Sequence, residues 1–333
     1  MQKKKIAILR GGKKIHKESV ASGNQVLLSL NKYLEEVEPT DILIDTHGNW
    51  FEKGVPSDMH KAFSKVDYYL DLTRDLAGEH HSLAEKISLQ HVFPNSFISM
   101  NSRVNLRRIL NQLTLGENLF SNYFLFRDKK NLDLDLKVAW QNLHMPVVLR
   151  PNKILGHEKS LLTYSFSEAK QYIQKILERG EEVLVEDYIE GQYLSLVLIP
   201  NYRGEDFYIP IAMQTIHNNL KERKVGEQKI KDKVLISHKN QKNIFFFHNQ
   251  DNNLKNKLRE LATQIYQTLL LEGHLMIDFA ILDDQKIKIL EIHLDPHLFE
   301  GSRFNEILLA SGVDSGKIIL DRMKKLEEMN LIY

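Results

Sequence analysis

Two short apolar runs near the end of the chain, each interrupted by a carboxylate, limit the possible folds more than any other feature. Residues 275–282 are apolar except for Asp278, and residues 287–292 are apolar and β-branched except for Lys288 and Glu291. The polar tetrapeptide Asp283-Asp284-Gln285-Lys286 separates them, so the pattern predicts a β-hairpin. A carboxylate within such a run is costly to bury unless a cation compensates it. On neighbouring strands, Asp278 and Glu291 can converge on one hard cation, which takes oxygen ligands and bridges to phosphates. The alternative is that both point to water from a half-exposed sheet, as most charged residues do.

Composition removes several classes of function. The 333 residues contain no cysteine, which excludes disulfides, thiolate catalysis and cysteine-ligated zinc. A formal net charge of +1 creates no general field that would recruit nucleic acid or anionic membrane. The apolar run after Met1-Gln2-Lys3-Lys4-Lys5 ends after four residues, too short for a secretory core, and no run approaches a membrane span. A cytoplasmic protein is expected, with neither membrane nor nucleic acid as partner.

Other landmarks precede the hairpin. A strand over 4–9 is followed by Arg10-Gly11-Gly12 and a helical pattern from Ser19 to residue 30, the way an α/β lobe presents backbone amides to a ligand. A plain tight turn explains the glycines equally simply. Further strands are expected over 41–45 and 66–72, and an arginine-rich helix over 101–113. Pro146-Val147-Val148-Leu149-Arg150-Pro151 reads as a strand, and 167–179 as a helix with Ser167 as N-cap and Gly180 as its stop. Residues 182–191 read as a strand running into a hinge. Residues 221–242 are lysine-rich with little periodicity, either a solvated loop, a lid or a basic patch for RNA, the last without interleaved aromatics. Leu254, Leu258, Leu261, Ile265 and Leu269 mark one face of a long helix.

Taken in order, these landmarks resemble the D-alanine:D-alanine ligase family of the ATP-grasp superfamily. The resemblance rests on Gly11-Gly12 with His16-Lys17-Glu18-Ser19, on the 146–151 strand, on Val183 to Gly191, and on Asp278-Phe279, Glu291-Ile292-His293, Pro296 and Ser302. It implies an α/β, three-lobed ATP-grasp fold with a Rossmann-like first lobe: 1–93 as the N-terminal domain, 94–188 as the central subdomain and 189–333 as the C-terminal subdomain. It also implies site residues. Asp278, Glu291 and His293 take the metal positions, with magnesium or manganese expected. Arg103 and Arg150 take the places of phosphate-binding lysines, with Arg107 second to Arg103. Glu186, Tyr188 and Ile189 receive the adenine of ATP. Glu18, or Lys17 in a sequence one residue shorter than the family's, meets the substrate amino group, and Ser302 its carboxylate.

Several positions depart from the family. His293 replaces an asparagine, and imidazole suits transition metals better than magnesium; a histidine hydrogen-bonded at a strand end is the other reading. Met276 replaces an arginine that neutralises a tetrahedral oxyanion, a donor whose loss costs roughly 2.7–4 kcal/mol. Tyr193 replaces the ribose-binding glutamate. The phosphate loop after Asn152 holds one glycine, and Ala77-Gly78-Glu79-His80 barely matches the family's substrate loop. Two functions follow. One is an ATP-dependent carboxylate–amine ligase of the peptidoglycan type, acting on an amino acid or dipeptide-like substrate and homodimeric as the family commonly is. The other is a silent ATP-grasp protein that binds nucleotide or a partner without ligation.

Overall fold

The computed structural model describes residues 3–13, 15–73, 79–93, 102–112, 119–154, 160–210, 212–216, 244–246, 252–294 and 296–330. The lysine-rich stretch over 221–242, the loop residues 74–78 and residues 155–159 of the phosphate loop lie outside them.

The first sheet is built from β1 (Lys4–Gly11), β2 (Val37–Ile44), β3 (Trp50–Glu52), β4 (Val55–Ser57), β5 (Tyr68–Asp71) and β6 (Gln90–His91), in the order β4-β3-β2-β1-β5-β6. β1 runs parallel to β2 and β5, and β5 parallel to β6. The expected strands are present, but β2 begins at Val37, which is fully buried opposite Lys4. The β3–β4 hairpin had no signal in the sequence. Its turn places Lys53 and Gly54 at positive φ, and a lysine there hides the asparagine- or aspartate-glycine signature of such turns. Helix α1 (His16–Leu30) starts three residues earlier than the helical pattern suggested, with Ile15 at its N-cap position. The Ser19 hydroxyl lies inside the helix and accepts the Gly11 N–H at 2.8 Å. Helices α2 (Met59–Phe63) and α3 (Glu79–Lys86) complete this part.

Helix α4 (Arg103–Leu110), capped by Ser102, leads into an antiparallel sheet of β7 (Tyr123–Phe126), β8 (Val147–Pro151), β9 (Leu161–Thr163) and β10 (Val183–Asp187), ordered β7-β10-β8-β9. Helices α5 (Leu132–Asn142) and α6 (Phe166–Leu177) bury Leu136, Ala139, Ile173 and Ile176 against Leu149, Val183 and Val185 on one face. The N-cap of α6 is Ser165 and not Ser167: its hydroxyl accepts the Glu168 N–H at 3.3 Å, while Ser167 sits in the first turn. Gly180, at φ 73°, follows the helix.

The third sheet contains β11 (Gln192–Tyr202), β12 (Glu205–Tyr208), β13 (Ala212–Ile216), β14 (Ile244–Phe246), β15 (Leu275–Ile281) and β16 (Ile287–His293). The order is β14-β13-β11-β15-β16, with β12 paired to β11. One face, through Leu194, Leu196, Leu198, Ile277 and Phe279, packs on α7 (Asn252–Thr268). The other, through Val197, Ile199 and Met276, joins a core shared with Ile6, Ile8 and Val26 of the first lobe and with α8 (Arg303–Ala310) and α9 (Ser315–Asn330). Burial on both faces explains why β15 reads as a continuous apolar run. No described helix is long and apolar enough to cross a membrane.

Helix α9 lies against α1 closely enough that a Cβ on Gly316 would sit 2.8 Å from the backbone oxygen of Ser29. Backbone cannot move aside as a side chain can, so Gly316→Ala is expected to cost about 1–3 kcal/mol, the range for overpacking. Urea unfolding of the variant beside the wild type measures it.

Candidate nucleotide and metal site

The hairpin forms as its pattern requires, and β15 and β16 set Asp278 directly opposite Glu291. A register shift after this pair leaves Leu290 extra on β16; such irregularities re-aim neighbouring side chains. Asp278 is 5% exposed. Its Oδ1 accepts from Ser195 Oγ at 2.6 Å and from Arg303 Nη1 at 2.7 Å, and its Oδ2 lies 2.8 Å from His293 Nε2. Ser195 is there because β11 pairs with β15 in the register that sets it beside Asp278. Glu291 meets Arg103 at 3.0 and 2.9 Å and Arg150 at 2.9 Å, all through Oε2.

The arginines come from the central sheet and its leading helix. Arg103 opens α4, and its Nη1 also donates to the carbonyls of Pro151 and Lys153 at 2.6 and 2.8 Å. Arg150 lies on β8 between two carboxylates, 2.5 Å from Glu186 through Nε and 2.9 Å from Glu291 through Nη1. Glu186, on β10, is 1% exposed, accepts from Ser121 Oγ at 2.8 Å and is ion-paired with Arg107. The Arg107 guanidinium packs over Phe120 and Tyr123 at 5.2 and 5.1 Å. Its Nη1 is buried with no hydrogen-bond partner among the described residues.

The electrostatics follow from these contacts. Burial would raise the Asp278 carboxyl, but Arg303 and then His293 and Ser195 hold it well below the usual carboxylate range. Burial likewise opposes ionisation of Glu186, and Arg150 and Arg107 overcome it. Glu291 is held at about 2 against its own burial, by Arg103 first and Arg150 next. Because this carboxyl is more acidic folded than unfolded (about 4.3), its contribution is complete above the unfolded value. It is lost as pH falls toward 2, by up to about 3 kcal/mol. Urea unfolding between pH 5 and pH 3 is therefore expected to show a shallower pH dependence for Glu291→Gln than for wild type.

The other expected residues are placed differently. Tyr188 and Ile189 follow β10 and are half-buried, but the Tyr188 N–H already donates to the Pro146 carbonyl at 3.3 Å. The hydroxyl of Tyr193 hydrogen-bonds the Ile189 carbonyl, so the residue standing where the family has a ribose ligand ties down the hinge. Ser302 caps α8: its hydroxyl accepts the Asn305 N–H at 3.3 Å and donates to the His297 carbonyl at 2.6 Å. Glu18 and Lys17 are both exposed on the first turn of α1, and among the described residues no hydrogen bond ties Glu18 to the cluster. Arg303 was not anticipated. Only its position after Ser302 could have pointed to it, since nothing in the local pattern says that a helix-opening arginine reaches a strand carboxylate.

Three carboxylates thus face four guanidinia, and the cluster is net positive. A divalent cation at Asp278 would have to displace the arginine, serine and histidine that hold both of its oxygens, whereas the contacts of Glu291 all run through Oε2. The surplus positive charge suits an anion such as a phosphate.

A family model described as D-ala D-ala ligase C-terminus matches residues 120–323. A D-alanine–D-alanine ligase of Petrotoga mobilis is 27% identical over 201 residues, covering 60% of this chain and 62% of that protein, less than two thirds of its length. One from Aquifex aeolicus is 22% identical over 316 residues, 93% of this chain and 92% of that protein. The crystal structure of the D-alanine–D-alanine ligase from Bacillus anthracis complexed with ATP is similar at a TM-score of 0.69 and 14% identity, covering 99% of each chain.

Proposed function

The chain belongs to the D-alanine–D-alanine ligase family, and from that premise we propose that it is an ATP-dependent carboxylate–amine ligase. In this reading the γ-phosphate passes to a substrate carboxylate, and an amine then displaces phosphate from the acylphosphate, leaving ADP and inorganic phosphate. The observation that carries the proposal is the net-positive cluster of Arg103, Arg107, Arg150 and Arg303 around Glu186, Asp278 and Glu291. Phosphoryl transfer depends on positioning and on neutralising charge spread over the phosphate oxygens, and preformed guanidinia do both. Magnesium would enter with the nucleotide phosphates, and Glu291, whose arginine contacts all use Oε2, would have an oxygen to offer it.

Small amino acids are the substrate class, with an amino acid or a dipeptide-like molecule as acceptor. Glu18 or Lys17, both exposed on the first turn of α1, would meet the substrate amino group. A homodimer in the cytoplasm completes the reading, and sedimentation velocity measures the assembly. The purified protein with ATP, magnesium and D-amino acids is expected to release ADP and phosphate in step with a new amide. Absence of turnover with every acceptor tried would count against ligation.

A second reading has its own observation. The hinge N–H of Tyr188 and the carbonyl of Ile189 are both bonded within the protein, as is the Glu186 carboxylate. A nucleotide that binds without an adenine-specific contact suits a protein that no longer ligates. Calorimetry distinguishes the two: the ligase prefers ATP to GTP, whereas the silent binder takes both with similar affinity.

A further inference from the structure

A second cluster of ligand-type residues lies in the first lobe. Asp71 ends β5 at the carboxyl edge of the parallel strands, where α/β sheets hold their ligands. Its Oδ1 accepts from the backbone N–H and the hydroxyl of Thr73, at 2.8 and 2.7 Å, which fixes the plane of the carboxylate. That leaves Oδ2 directed at two imidazoles from the first turn of α3: His80 Nε2 at 3.0 Å and His81 Nε2 at 3.2 Å. The two rings are 4.2 Å apart. The ligand atoms of Asp71, His80 and His81 all lie within 4.8 Å of one another.

We propose that Asp71, His80 and His81 bind one divalent transition-metal ion, of which zinc is the natural candidate. Two imidazoles and a carboxylate form a donor set suited to zinc and its neighbours and poorly suited to magnesium. Zinc bonds of about 2.0–2.1 Å to nitrogen put neighbouring ligand atoms roughly 3.3 Å apart in a tetrahedron. The observed 3.0 and 3.2 Å separations need an opening of only a few tenths of an ångström. The surroundings are those of a metal centre. Thr73 orients the carboxylate, and the Tyr69 hydroxyl lies 3.3 Å from His81 Nδ1, where it sets which ring nitrogen faces inward. Asp71 and His80 are each 5% exposed, whereas the His81 side chain is 27% exposed and gives the ion a route from solvent and a place for a fourth, non-protein ligand.

His91, the neighbouring imidazole on β6, serves another purpose. Its Nε2 accepts the Asp71 N–H at 3.1 Å, so that nitrogen is occupied and the ring buttresses β5. The site uses none of the grasp residues, and it stands or falls independently of ligation.

The test is metal content of the full-length protein, first stripped by a chelator and then dialysed against a small excess of zinc. Wild type is expected to retain one zinc per chain and to unfold at a higher temperature with zinc than without it. His80→Ala/His81→Ala should lose both effects, and Asp278→Asn/Glu291→Gln should keep both. Zinc retained in the His80/His81 variant, or none retained by wild type, overturns the proposal. Cobalt(II) substitution of wild type guards against a variant that fails to fold. An intense visible spectrum with two hyperfine-shifted histidine N–H resonances supports the site, whereas the weak spectrum of a six-coordinate aquo ion overturns it.

Discussion

Glu186→Gln is expected to destabilise the protein by about 3–5 kcal/mol, the cost of breaking a buried ion pair from one side. The substitution preserves shape and keeps an acceptor for Ser121, but it removes the carboxylate paired with Arg107, which is 4% exposed. Phe120 and Tyr123 offset part of the loss through their ring faces. Arg150 suffers less because Glu291 still neutralises it. Chemical denaturation of Glu186→Gln, Arg107→Met and the double variant completes the cycle. The double variant should recover most of the loss, since it leaves no unpaired charge in the interior. An additive double variant would mean that Arg107 and Glu186 are not coupled. Nucleotide affinity of folded Glu186→Gln gives a separate result. If the carboxylate reads adenine, preference for ATP over GTP falls; if it only secures Arg107, both nucleotides weaken together.

Arg303→Met is expected to lower turnover by about 10²–10³-fold while changing ATP affinity only a few-fold, as removal of an oxyanion donor does. Met276 occupies the position where the family carries an arginine, and its side chain is buried in apolar contacts. Asp278 is two residues further along β15 and so on the same face, and that is where Arg303 delivers its guanidinium. On the proposed function, the helix that follows supplies the positive charge that Met276 lacks. Single-turnover kinetics with saturating nucleotide separate the chemical step from binding. Arg303→Lys should restore part of the rate, because the charge returns without the planar fork. Equal loss of rate and of ATP affinity would assign Arg303 to nucleotide binding instead.

The hairpin was legible because its two carboxylates interrupt runs that must be buried, and helix α7 was legible from its apolar spacing. What the sequence could not reveal was the state of those carboxylates. Arg103 and Arg150 stand 188 and 141 residues before Glu291, and Arg303 stands 25 residues after Asp278. Pairings over such distances leave no local pattern. His293 shows the same limit: both readings of it were open, and the contact with Asp278 at 2.8 Å favours the hydrogen-bonded one. The His80-His81 pair carries no metal signature in the sequence, because its carboxylate lies nine residues upstream, across a strand end, and no spacing rule joins them. Ser165 carries a stronger cap signal than Ser167, since Glu168 stands three residues after it, the spacing of a capping box.

The shared core of the first and last lobes has a consequence for handling the molecule. Ile6, Ile8, Val26 and Leu70 are sealed by Phe304, Ile319 and Met323, from the opposite end of the sequence. A fragment ending near residue 93 would retain its strands but leave that apolar surface facing water. Separately expressed halves should therefore be insoluble or molten alone and become ordered when mixed, each serving as the template on which the other finishes folding.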